Sequence, residues 1–140
     1  MITLPLSKQV LAMTIELADK FVTVRMTLAN SPQTSRELLL LLSNDDEPYV
    51  RWFVARNGAT PQNALEKLTH DEDPVISRTA IENPNLDLDY IKALSTGCGS
   101  IVKIAEREVA RRKSLRSKIH QMSKLVKKFK TTNRKMGVKT

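Results

Sequence analysis

The chain has 140 residues, a net charge of +8, 4% aromatic residues and a single cysteine, Cys98. That length fits one domain with a tail, and so few aromatics leave the packing to leucine, isoleucine, valine and alanine. One cysteine excludes an internal disulfide framework and leads us to expect a reducing, cytoplasmic setting.

No apolar run approaches the roughly 18 residues of a membrane span; the longest is LLLLL at 38–42. The opening MITLPLSKQV has no basic start before an apolar core, so no secretory signal is expected. The charge is lopsided. Residues 1–102 hold 9 Lys+Arg and 13 Asp+Glu, a balance of −4, whereas residues 103–140 hold 14 and 2, a balance of +12. Such asymmetry points to a C-terminal segment that meets a polyanion.

In chain order, residues 1–30 read as an N-terminal capping helix. Ser7 is its N-cap, and Leu6, Val10, Met13, Leu17, Phe21, Val24 and Leu28 mark one face. Asn30-Ser31-Pro32 ends it. A period of 26 then takes over. TSRELLLLLS (34–43), TPQNALEKLT (60–69) and LDLDYIKALS (86–95) are one element in three copies, closing on Leu39/Leu42, Leu65/Leu68 and Ile91/Leu94. EPYVRWFVAR (47–56), DPVISRTAIE (73–82) and SIVKIAEREV (100–109) are the alternate element, with Val50, Ile76 and Val102 in register. Val24-Arg25 stands where a weaker copy of Val50-Arg51 is expected. Helices this short are unstable alone in water, so the units must stack to bury their leucines.

The pattern in Glu47-Pro48-Tyr49-Val50-Arg51, Ala55-Arg56-Asn57-Gly58-Ala59-Thr60-Pro61 and Leu65 to Leu68 resembles the leucine-rich repeat variant, a relative of the HEAT-like solenoids. The next unit offers Asp73-Pro74-Val75-Ile76 and Ile81-Glu82-Asn83-Pro84, and the third replaces the acidic turn by Gly97-Cys98-Gly99. The resemblance covers residues 24 to about 105 and implies a curved, all-helical scaffold without implying a reaction. The cysteine cluster of some members of that family is absent, and no cofactor is expected. The expected fold is therefore all-α: a short α-solenoid of variant leucine-rich, HEAT-like repeats over 31–105. A basic amphipathic helix over 106–130 and a disordered tail over 131–140 follow.

The basic helix is the strongest functional signal. Leu115, Ile119, Met122, Val126 and Phe129 advance by four, three, four and three, and are expected to lie sheltered on one face. Arg112, Lys113, Arg116, Lys118, Lys124, Lys127, Lys128 and Lys130 are the candidate phosphate contacts. Phe129 is the only aromatic there, which favours backbone contacts over stacking on single-stranded bases. A membrane surface, a partner groove or a plain capping helix are the competing readings.

Arg51, Trp52, Arg56 and Arg78 are candidate partner-binding residues, because stacked repeats align side chains on one face. The competing reading pairs these arginines with the acidic turns of the neighbouring repeat. Asp45-Asp46-Glu47 and Asp71-Glu72-Asp73 read as helix caps ahead of Pro48 and Pro74 rather than as cation loops. His70 and His120 lack spaced partner ligands, so no metal is expected. Cys98 has no histidine nearby, and no catalytic motif is present, so no enzyme is expected. The expected function is a small non-enzymatic module whose basic helix contacts the DNA or RNA backbone without strong sequence preference. The alternative is a protein–protein adaptor whose basic helix docks on an acidic partner. The sequence leaves the oligomeric state open.

Overall fold

Two local rules set the helix starts. Glu47 and Asp73 each occupy an N-cap, with proline at the first helical position, and their carboxylates accept from Tyr49 N and Val75 N. Proline there loses no hydrogen bond, and a carboxylate satisfies an otherwise unpaired N–H. Ser35 and Asp87 cap in the same way, through Leu38 N and Asp89 N. The helix ends follow a second rule: Ser43, Thr69 and Ser95, 26 residues apart, each donate a hydroxyl to the carbonyl three residues back.

The resulting computed structural model describes residues 21–135, with side chains to residue 132. Among the described residues the chain is all-helical, with no strand. The helices are α1 (Val22–Asn30), α2 (Arg36–Leu42), α3 (Pro48–Arg56), α4 (Gln62–Leu68), α5 (Pro74–Glu82), α6 (Leu88–Ser95) and α7 (Ile101–Lys135). Of the helix expected over 1–30, Val22–Asn30 falls within this range, whereas the Ser7 cap and the apolar positions up to Leu17 lie outside the described residues.

Packing follows the same period. α1, α3, α5 and α7 touch in succession, and α2, α4 and α6 lie against them. Leu39, Leu65 and Ile91 are fully buried at a spacing of 26, as are Val50 and Ile76. Ala29 and Ala55 are also fully buried, which lets neighbouring helices approach closely. Each helix from α1 to α6 has at most nine residues, so its stability comes from these contacts rather than from propensity.

Polar side chains repeat with the leucines. Asn57 is buried, and its Nδ2 donates to Ala29 O at 2.7 Å and Ser31 O at 2.8 Å. Asn83, also buried, donates to Ala55 O at 2.7 Å and Asn57 O at 3.0 Å. Each asparagine thereby satisfies carbonyls left over at the end of the preceding unit's helix.

The final helix departs from expectation. The repeats are expected to end at 105, with a separate helix from 106 and a tail from 131. One uninterrupted helix instead runs Ile101–Lys135. No glycine or proline lies within it to break the ladder, and its start follows Gly99, whose φ of +106° suits glycine alone. Residues 131–135 are helical, and residues 136–140 lie outside the described range.

Candidate nucleic-acid interface

The acidic turns and the arginines of the repeats bind each other. Arg25 makes a two-pronged pair with Asp45, at 2.7 and 3.2 Å, and Arg51 makes the same pair with Asp71, at 2.8 and 3.1 Å. Arg51 also donates to Asp45 O at 2.9 Å and Asp46 O at 3.2 Å. The hydrogen bonds it donates to Asp71, reinforced by that carboxylate's charge, hold the Arg51 guanidinium above the ordinary arginine range. Asp45 and Asp71 in turn accept from Glu47 N and Asp73 N. The first acid of each triplet is thus a clasp and the third is the cap.

The candidate row Arg51, Arg56 and Arg78 occupies three different environments. Arg51 is committed to the neighbouring turn and presents little to a partner. Arg56 is exposed and sits 5.4 Å from the Trp52 ring centre, which meets Phe53 edge-on at 5.0 Å. Arg78 is exposed but is not the counterpart of Arg51; at a spacing of 26 that position is Ser77, which is buried. Trp52, Pro48, Tyr49, Val75 and Ile76 line a shallow hollow of about 420 Å³ between α3 and α5.

The basic helix divides into a root and an outer arm. At the root, Glu108 is 2% exposed and accepts from Arg111 at 2.6 Å and Arg112 at 2.7 Å. Burial pushes this carboxyl up, but the hydrogen bonds and charges of the two arginines outweigh it and leave Glu108 below the usual range. The same contact raises Arg111. Arg112 continues inward, donating to Leu86 O at 2.6 Å and Asn83 O at 2.7 Å. Counted by the period, the third repeat's asparagine would fall at 109, where valine stands. Arg112 reaches the Asn83 carbonyl in its place and closes the ladder. Three of its donors, on Nε, Nη1 and Nη2, are thus engaged within the protein, which sets Arg112 apart from the other expected phosphate contacts.

Beyond the root, Lys113, Arg116, Lys118, Lys124, Lys127, Lys128 and Lys130 are all exposed, and none makes an ion pair among the described residues. Glu108 is the last acidic residue in the chain. At 100° per residue, Lys113, Arg116, Lys124, Lys127 and Lys128 share one side of the helix, Lys130 lies nearer its flank, and Lys118 falls among the apolar positions, between Leu125 and Phe129 in projection.

The apolar stripe opposite them is not sheltered. Leu115, Ile119, Met122, Val126 and Phe129 are 43 to 67% exposed, and Leu125, absent from the four-three pattern, joins them at 65%. Among the described residues, α5 and α6 cover only the beginning of α7, and none packs on its outer turns.

No group of three metal-ligating side chains occurs among the described residues, and no helix there is long and apolar enough to cross a membrane. Cys98 is exposed. The buried asparagines and Glu108 had escaped sequence reasoning as working residues; the recurrence of Asn57 and Asn83 at the repeat spacing was the available signal. Comparison of the chain with protein-family models, with curated proteins and with solved structures returns no match.

Proposed function

We propose that this protein is a non-enzymatic binding module in which the outer arm of α7 contacts a nucleic-acid backbone. The repeats serve as its scaffold, read as a short α-solenoid of the variant leucine-rich, HEAT-like type. The observation that carries the proposal is the exposed set Lys113, Arg116, Lys118, Lys124, Lys127, Lys128 and Lys130, unpaired and on a segment without acid. Phosphate neutralisation by such a set releases counterions and gives affinity without base reading. The 26-residue recurrence of Leu39, Leu65 and Ile91 and of the asparagine bonds supports the solenoid reading.

The test is fluorescence anisotropy with labelled duplex DNA and duplex RNA of mixed sequence. If about five phosphates are engaged, affinity falls by several hundred-fold between 50 and 200 mM salt. Replacing Lys124, Lys127, Lys128 and Lys130 together by glutamine removes most of that dependence. A second reading, an adaptor whose arm docks on an acidic protein, is favoured by the exposed Leu115–Phe129 stripe, which a phosphate backbone leaves uncovered. Absence of binding at low salt transfers the arm to that reading.

A further inference from the structure

The stripe needs an occupant that the nucleic-acid reading does not supply. Leu115, Ile119, Met122, Leu125, Val126 and Phe129 lie within an arc of roughly 120° that only Lys118 interrupts, on an otherwise cationic helix. Contiguous apolar surface of this kind marks an interaction site. Complete coverage of the six side chains would bury roughly 600 Å² per chain, so about 1,200 Å² across a pair is the ceiling of their contribution, which meets the lower end of what a specific interface needs. The four-three alternation is that of a seam in which two helices interlock, with β-branched Ile119 and Val126 at alternate layers. We propose that the outer arm pairs with the same arm of a second copy, antiparallel, through this stripe.

The direction follows from the root. On a helix turning 100° per residue, Ile101, Ile104 and Glu108 fall on the same side as the stripe. Ile101 and Ile104 pack on the core and Glu108 is buried there, with α5 and α6 against this part of α7. The seam is therefore the prolongation of the face that carries the repeats. A parallel partner would bring its own repeats to the same level and side, where the first copy's repeats already stand. An antiparallel partner puts the two bodies at opposite ends, with Phe129 of one arm beside Leu115 of the other. The cations on the far side of each helix then face outward in two rows, so pairing leaves Lys113, Lys124, Lys127 and Lys128 accessible.

Charge fixes the salt response. Lys118 lies within the seam's own arc, Arg116 and Lys130 flank it, and no acidic residue lies on the arm to offset them. The two arms repel, and salt screens that repulsion over a length that falls from about 10 Å at 0.1 M to about 3 Å at 1 M. Pairing therefore tightens with salt, whereas binding to nucleic acid weakens.

Sedimentation equilibrium on the full chain tests this. The expected result is a monomer–dimer equilibrium in the micromolar range, several-fold tighter at 500 than at 50 mM salt. Ile119→Asp and Val126→Asp give monomers while the helical circular dichroism and the melting of the repeats stay as in the wild type. In a Cys98→Ser background, chains carrying Leu115→Cys and chains carrying Phe129→Cys form a disulfide when mixed, and little when each is oxidised alone. A monomer at 200 μM in both salts overturns the proposal, as does a dimer that survives Ile119→Asp. A disulfide from Phe129→Cys chains alone overturns the antiparallel arrangement. A monomer that floats with phosphatidylserine vesicles instead assigns the stripe to an anionic lipid surface. Because salt acts in opposite directions, a failure of pairing and a failure of nucleic-acid binding are read separately.

Discussion

Asn83 offers the sharpest test of how the units are joined. Its side chain is 3% exposed and makes three hydrogen bonds: Nδ2 to Ala55 O and Asn57 O, and Oδ1 from Asn85 N at 2.9 Å. Truncation by Asn83→Ala removes all three. Each bond contributes about 1 kcal/mol net, and a buried carbonyl left without a donor costs about 1–3 kcal/mol. Asn57 O keeps a second partner, Thr60 N at 3.2 Å, so Ala55 O carries most of that penalty. The expected loss is about 3–4 kcal/mol, a large share of the roughly 5–15 kcal/mol that holds a domain of this size. Urea titration followed by far-ultraviolet circular dichroism and by the fluorescence of Trp52, the only tryptophan, measures it. Asn83→Asp sharpens the test, because it aims a buried carboxylate at two carbonyls. Burial and like partial charge raise its pKa in the folded state, so the variant's stability relative to wild type falls as pH rises through that value. An Asn83→Ala loss under 1 kcal/mol, or an Asn83→Asp variant with no pH dependence beyond wild type, would refute the view that this amide ties one unit to the next.

Three further outcomes follow from the same geometry. Arg51→Ser and Asp71→Gly each strand a partner and should cost about 2–3 kcal/mol, but together they recreate what Ser77 and Gly97 do naturally. The double variant should then be at least 1 kcal/mol more stable than the two losses sum to, as a double-mutant cycle in urea reads. Glu108 is held below the usual carboxylate range, so its stabilisation is fully present above the unfolded value of about 4.3 and is lost as pH falls through the lower folded value. Glu108→Gln should flatten that part of the acid-unfolding curve while lowering stability at pH 7 by about 2 kcal/mol. Ser117→Pro, in the outer arm, should leave the melting of the repeats unchanged within about 0.5 kcal/mol, yet break the arm and weaken duplex DNA binding at least tenfold in the anisotropy assay.

Much of the repeat core could be read directly. Leu39, Leu65 and Ile91 announce their burial by recurring at 26, and Pro48 and Pro74 after an acidic residue announce a helix start. What pairs with what was harder. Arg51 and Arg78 look alike on paper, but counting by 26 puts Ser77 opposite Arg51 and Gly97 opposite Asp71: the third unit lacks both halves of the clasp. A pair deleted together leaves no unmatched charge, so neither absence stands out alone. Arg112 was hidden by its neighbours, since composition cannot tell the one guanidinium that reaches Asn83 O from the cations around it. The stripe on α7 was legible as amphipathic. Its exposure among the described residues was not, because periodicity says which side of a helix is apolar and nothing about what packs on it.

α7 is shared property: its opening turns complete the last repeat and its later turns bear the cations, without a swivel point in thirty-five residues. At 1.5 Å per residue it is a stiff rod of roughly 50 Å. Whatever grips the far end therefore also dictates which way the Trp52 hollow looks, much as a handle dictates the heading of a blade. Under the proposed function, two ligands held at those places would keep a set span, a gauge as well as a grip.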